Sequence, residues 1–406
     1  MKVLIAHPGT QYSFQLVKQL EKSGLLYRFY TCLALTQNSR MARLINFLFK
    51  GISKKISNRI IEDVPASKIK TRQLLEYRTI YMMRNVLNPE DLIYRRNRKF
   101  QQSIPDHAIK ESDVVIGFDT SSWILAERCK LLGKKFILDV SIGHPISKEK
   151  IYEELSVLYP EWKEQIVPKK KTFIDLECRE MQIADMIIVP SEFVKLTLVE
   201  NGVMPEKITV NPFGTVVDQF TWTSNKKKLN EKIVFLFLGS FSARKGLPLL
   251  LDAWKELNIS NAELIVAGYG KIPDAIALPR NVINKGVIAK GERQALFDSA
   301  HVFLFPSFFE GLAQVQIEAM ACGLPIVGTK NSGAQELVNE GINGFVIEAG
   351  SKAQLMTAIK YFIDNPEKTN EMGKAAKKKA EQFSWDTYGK RWNSIILKET
   401  GRFILR

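Results

Sequence analysis

The chain has 406 residues, 45% apolar and 25% charged, and its 58 Lys plus Arg against 43 acids give a formal net charge of +15. That balance is ordinary for a globular protein of two or three domains and excludes a disordered or repetitive chain. Cys32, Cys129, Cys178 and Cys322 lie far apart with no Cys-x-x-Cys pair, so a disulfide framework and a zinc site are both unexpected.

The first element, Met1-Lys-Val-Leu-Ile-Ala6, reads as a strand broken at once by His7-Pro8-Gly9-Thr10. It is too short for the apolar region of a signal peptide, and no apolar run reaches the roughly 18 residues of a membrane span. A cytoplasmic protein is expected. Residues 40 to 110 carry 16 Lys plus Arg against 6 acids. Within them, Arg40 to Ile60 has six basic residues and no acid, with Met41, Ile45, Leu48, Ile52, Ile56 and Ile60 at helical spacing. This is the pattern of a basic amphipathic helix lying on an anionic membrane surface, or of a first-domain helix turning its stripe inward. Such a patch also steers anionic acceptors; no nucleic-acid module accompanies it, so nucleic acid is not an expected partner.

Further apolar runs follow at 113–118, 135–140, 186–190, 207–211, 233–238, 262–267, 301–305 and 325–328, alternating with helical segments. The alternation predicts an α/β protein whose parallel sheets are covered on both faces. The Thr-, Asn- and Lys-rich stretch 212–230, with Pro212 and Gly214, predicts a link between two doubly wound domains. Such sheets take ligands outside the carboxyl ends of their strands, so two facing domains enclose a cleft.

Ile233 to Leu238 runs into Gly239-Ser-Phe-Ser-Ala-Arg244-Lys245-Gly246 and then a helix over 247–257. A helix N-terminus with two adjacent cations suits a diphosphate, although the spacing is neither a Walker A loop nor Gly-x-Gly-x-x-Gly. Taken alone it would equally be a solvated basic turn. Downstream, strand His301–Phe305 ends at Pro306-Ser307, and a helix is predicted from Leu312 to Cys322, stopped by Gly323 and Pro325. Glu310 falls in the loop before that helix and Glu318 within it. Eight helical positions span about 12 Å, so the two acids suit opposite ends of one elongated ligand. They match poorly a glycosidase pair, whose carboxyls lie about 5 to 9.5 Å apart. In isolation they would read as a capping acid and an ordinary helical glutamate.

Together these motifs resemble the retaining nucleotide-sugar glycosyltransferases of family 4, with the GT-B architecture. The resemblance is carried by Gly239 with Arg244-Lys245-Gly246, Pro306-Ser307, Glu310, Glu318-Ala-Met-Ala-x-Gly323-x-Pro325, Glu336-Leu337 and Asn343-Gly344-Phe345. Weaker family-like text begins near Glu177 and includes Pro190-Ser191 and Gly214-x-x-x-Asp218-x-Phe220. It implies an acceptor-side domain over 1–212, a link over 213–230, a nucleotide-sugar domain over 231–384 and a C-terminal helix over 385–406 crossing back to the first domain. It further implies that Arg244 and Lys245 hold the diphosphate without a metal, that Glu310 binds sugar hydroxyls and that Glu318 binds the ribose. Gly239 and the backbone of Gly311, Leu312 and Ala313 would approach the phosphates, the base would sit near Ile288, and Gly9 would close over the donor. No Asp-x-Asp occurs, and no two of the four histidines have local ligand spacing, so neither metal nor cofactor is expected. The family's first-domain histidine has no direct counterpart: Ser141 stands at its place after strand 135–140, and His144, three residues on, is the candidate substitute. The expected reaction is sugar transfer from a nucleoside diphosphate to a lipid-linked or polysaccharide acceptor at a membrane surface. The alternatives are a sugar-nucleotide 2-epimerase or phosphorylase of the same architecture, and a non-catalytic donor-binding scaffold.

Overall fold

The computed structural model describes the chain except residues 11, 37–58, 85, 87, 223–231, 400 and 402–406. All but the last two residues of the expected basic helix over 40–60 therefore lie outside the described residues, as does 223–230 of the expected link. Two parallel sheets form the framework. The first has seven strands in the order Ile69–Thr71, Leu26–Thr31, Val3–Ala6, Val114–Phe118, Lys135–Asp139, Met186–Val189, Ile208–Val210. The second has six, in the order Val282–Gly286, Ala262–Ala267, Ile233–Leu238, Val302–Phe305, Ile326–Thr329, Gly344–Ile347.

Continuous apolar runs specify the central strands because both faces are covered by helices. Every residue of Ile233–Leu238 is buried, and so is every residue of Val114–Phe118. The strands not legible in the sequence are mostly peripheral. Ile69–Thr71 has three half-buried residues, and Val282–Gly286, at the sheet edge, buries only its first.

In each sheet the chain changes direction once. The first reverses between Val3–Ala6 and Val114–Phe118, the second between Ile233–Leu238 and Val302–Phe305. Residues from the loops after Val3–Ala6, Ile233–Leu238 and Val302–Phe305 line one cleft between the halves. The C-terminal helix Trp385–Glu399 packs against helix Ser13–Lys22 of the first half, where Asp386 accepts from both Gln19 and Lys22. Its Tyr388 and Trp392 are fully buried, and the Tyr388 hydroxyl donates to Asp139 at the end of a first-sheet strand.

Candidate active site

The basic loop reaches the acidic one because Gly246 permits it. Residues Ala243–Lys245 form a single 3-10 turn that ends at Gly246 with φ 75°, and a Cβ there would lie 1.9 Å from the Pro306 carbonyl. Only glycine combines that left-handed backbone with that approach. The turn brings Arg244 Nη1 and Lys245 Nζ each to 2.5 Å from Glu310 Oε1. Ser307 Oγ donates to the same oxygen at 3.2 Å. Burial alone would raise the pKa of Glu310, but Lys245 and then Arg244 outweigh it and hold the carboxyl below its usual range. Two cations share one carboxylate, so this end of the site keeps a net positive charge. The Lys245 ammonium also sits 5.0 Å from the centre of the Phe305 ring.

The helix after the acidic loop spans Gln314–Ala321, two residues later at its start than the spacing predicts, and Gly323 follows it at φ 71°. Leu312 and Ala313 stay in the loop, where the Ala313 amide is spent on the Ser332 carbonyl at 3.3 Å. Within the helix, Glu318 takes Arg293 Nη1 on both carboxylate oxygens, at 3.0 and 3.2 Å. Between the two ion pairs runs a cleft of about 660 Å³. Its second-half wall includes Gly239, Lys245, Ile288, Glu310, Leu312, Ala313 and Glu318, which the structure thus brings together. Tyr12, Gln15, Ser141, Phe213 and Trp385 close it from the other side.

The expected site residues His144, Gly9 and Gly311 do not line this cleft. His144 is not on the cleft: it caps helix Pro145–Leu158, accepting from the Ile146 amide through Nδ1 at 3.3 Å, and its Nε2 lies 3.7 Å from Cys178 Sγ. Pro145 begins the helix and fixes that turn, so the ring points into a separate hollow of about 350 Å³, and burial pushes its pKa down to about 4. Gly9 lies beside the His7 ring, where a Cβ would stand 3.1 Å from Nε2, and Tyr12 and Gln15, further along, line the cleft instead. Gly311 faces the seam between the halves. Its carbonyl accepts from Ser191 Oγ at 2.6 Å, and a Cβ on it would stand 1.9 Å from the Ser141 carbonyl.

Other wall residues were not anticipated. Arg293 opens helix Arg293–Asp298, and a cation at the positive end of a helix is electrostatically misplaced unless a partner holds it. That misfit was the available signal. Tyr12 and Asp139 carried none, because their contact links positions 127 residues apart. Asp119, at the end of Val114–Phe118, accepts from both the amide and the hydroxyl of Ser141, at 3.1 and 2.8 Å. Burial raises Asp119 to about 6. Among the described residues no three His, Cys, Asp or Glu converge as a metal site.

Two doubly wound halves meeting over such a cleft define the GT-B architecture, and comparison with known proteins agrees. Anabaena HepE, solved in complex with UDP, superposes with a TM-score of 0.63 at 17% identity, covering 98% of this chain and all of that one. Residues 218–379 match the family glycosyl transferases group 1, so the second half is a glycosyltransferase domain of that family, as its motifs indicate. An uncharacterized glycosyltransferase of Methanocaldococcus jannaschii is 30% identical over 156 residues, which is 37% of this chain and 44% of that protein. The capsular polysaccharide biosynthesis glycosyltransferase CapM of Staphylococcus aureus is 26% identical over 249 residues, 55% of this chain and 65% of CapM. The chain thus aligns with less than two thirds of either relative.

Proposed function

We propose that the protein is a metal-independent, retaining glycosyltransferase of family 4 type that moves a sugar from a nucleoside diphosphate to a glycan or lipid-linked acceptor at a membrane surface. The observation that carries this is the pairing of Arg244 and Lys245 with Glu310 at one end of the cleft and of Arg293 with Glu318 at the other. The surplus positive charge beside Lys245 suits the diphosphate and the charge it gains on leaving. Glu310, kept ionised, accepts from sugar hydroxyls; Glu318, held by Arg293, accepts from the ribose diol; Ile288 lies beside the base. In the transfer, the bond from the anomeric carbon to the phosphate oxygen breaks and one to the acceptor oxygen forms on the same face. The acceptor proton passes to the departing phosphate. UDP in HepE and capsular polysaccharide in the name of CapM favour a nucleotide donor and a polymer acceptor for this chain too.

Membrane contact is supported by an inverted helix. Gln73–Met83 turns Glu76 and Thr79 inward and leaves Leu74 86%, Tyr77 48%, Ile80 43% and Tyr81 73% exposed, with Arg78 and Arg84 also exposed beside them. An apolar stripe rimmed by arginines fits an anionic lipid surface. Among the described residues no helix is long and apolar enough to cross a membrane.

The test is nucleotide release from UDP-, GDP- and ADP-sugars, with and without acceptors, in EDTA. Lys245→Ala leaves Arg244 to pair with Glu310, so the fold should survive while turnover falls by about two to three orders of magnitude. Wild-type turnover in that variant, or no donor binding across the panel, would sink the proposal. Donor binding with no transfer to any acceptor would favour the scaffold reading, which Ser141 in place of a histidine motivates. Flotation on phosphatidylglycerol vesicles should be lost with Tyr81→Asp.

A further inference from the structure

Arg244 and Lys245 are neighbours on one 3-10 turn, yet they face different spaces. Lys245 lines the donor cleft, whereas Arg244 lines a second cavity of about 750 Å³ between the halves. Ser240 and Tyr269 line both, so the two spaces share a rim. The second half supplies the loops after Ile233–Leu238 and Ala262–Ala267. The first half supplies Tyr152, from helix Pro145–Leu158, and Glu161, Glu164 and Gln165, from the turn Pro160–Gln165. Gln165 ties the halves together, its side-chain amide donating to the Lys271 carbonyl at 2.9 Å. Tyr269 stands between Gly268 and Gly270, at φ 146° and 111°. A Cβ at Gly268 would lie 1.6 Å from the Gly239 carbonyl oxygen, and the Tyr269 carbonyl accepts from the Phe241 amide at 2.8 Å. The backbone is thus pressed onto the neighbouring loop, while the tyrosine ring is 67% exposed on the shared rim.

The charges lining this cavity are of two kinds. Arg244 is held by Glu310, and Lys271 by Asp274 at 2.6 Å. Glu161 and Glu164 line it with no cation paired to either among the described residues, so the cavity has an acidic surplus. The chain as a whole is the reverse, with a net charge of +15. Ionised carboxylates accept hydrogen bonds and donate none, and they repel a further anion. Aromatic faces with a few convergent polar groups, at a junction of domains, are the usual makeup of a small-ligand site. Tyr152 and Tyr269 offer such faces to the C–H surface of a sugar ring, and Glu161, Glu164, Gln165 and Ser242 offer partners for its hydroxyls. Because Arg244 bonds Glu310, the cavity adjoins the end of the cleft assigned to the donor sugar. We propose that it holds an uncharged saccharide portion of the acceptor, and that Glu161 and Glu164 turn away uronic acids and phosphorylated sugars. This rests on glycosyl transfer at the donor cleft and adds the place and the charge class of the acceptor glycan.

The experiment is saturation-transfer NMR on the full chain in saturating UDP. The probes are neutral trisaccharides of glucose, mannose, galactose and N-acetylglucosamine, with trigalacturonic acid as the acidic counterpart. At least one neutral glycan should receive saturation and the acidic one should not. Tyr152→Ala, which lies outside the donor cleft, should weaken the neutral glycan by about tenfold, the loss of one aromatic face, without changing UDP binding. Joint replacement Glu161→Gln and Glu164→Gln should improve binding of trigalacturonic acid by about tenfold at low salt, a gain that simple damage would not produce. Failure of every neutral glycan to bind, equal binding of trigalacturonic acid by the wild type, wild-type affinity in Tyr152→Ala, or no gain in the double variant would each overturn the assignment. UDP binding is read by calorimetry on the same samples. Loss of UDP binding there counts against the donor reading, whereas UDP bound with no glycan counts against the cavity alone.

Discussion

At the scale of single residues, the site is a set of carboxylates placed where their charge must be managed. Glu310 is kept ionised by two cations, whereas Asp119, which accepts from the Ser141 amide and hydroxyl, is raised by burial from an ordinary 3.8 to about 6. A carboxyl with a raised folded-state pKa binds more protons folded than unfolded between those two values. Its contribution to stability is therefore fullest below pH 4 and declines as pH rises toward 6. Two units correspond to at most roughly 3 kcal/mol. Asp119→Asn, which can still accept from Ser141, should match the wild type in urea unfolding at pH 4 and exceed it progressively up to pH 7. An unchanged difference across that range would refute the assignment. His144 teaches the complementary lesson: a histidine three residues from the expected place was legible, but Pro145 starts a helix that turns the ring the other way.

At the scale of elements, the chain's apolar runs predicted the central strands and the helix after Gly246 because periodicity is a local property. The strands Leu26–Thr31 and Gly344–Ile347 were not among them; each interrupts its apolar residues with half-buried positions. Helix Trp385–Glu399 owes its place to side chains far apart in sequence. Tyr388 reaches Asp139, and Arg391 donates to Asn211 at 2.6 Å and to the Pro212 carbonyl at 2.6 Å. Trp392 is completely buried within this junction. Trp392→Ala should lower stability by about 3 to 5 kcal/mol, the usual cost of emptying such a site. A urea midpoint within error of the wild type would show that the helix is not part of the cooperative fold.

For the whole molecule, the seam between the halves is as informative as either half. Gly311 meets the Ser141 carbonyl, Ser191 donates to the Gly311 carbonyl, and Glu336 accepts from the Glu192 amide at 2.6 Å. Phe309 closes the seam against Phe193, their ring centres 5.3 Å apart. Because Glu310 precedes Gly311, whatever sets the seam also sets the acid. Gly311→Ala puts a methyl against backbone on the opposite half, a strain of about 1 to 3 kcal/mol that separation of the halves would relieve. The expected outcome is a larger radius of gyration by X-ray scattering and a fall in turnover greater than the change in melting temperature implies. Unchanged scattering with full turnover would show that the halves need not close this far.

By itself the sequence determined the α/β class and the two-sheet plan through local periodicity, while the resemblance of its short motifs to a known family pointed to the family of the second half and to Lys245, Glu310 and Glu318. Only the tertiary structure decided which first-half groups face them. Tyr12, Gln15 and Ser141 line the cleft where Gly9 and His144 were expected, and Arg293 joined Glu318. Those contacts depend on strand order and on the packing of one half against the other, and neither quantity is written in any local window of the chain.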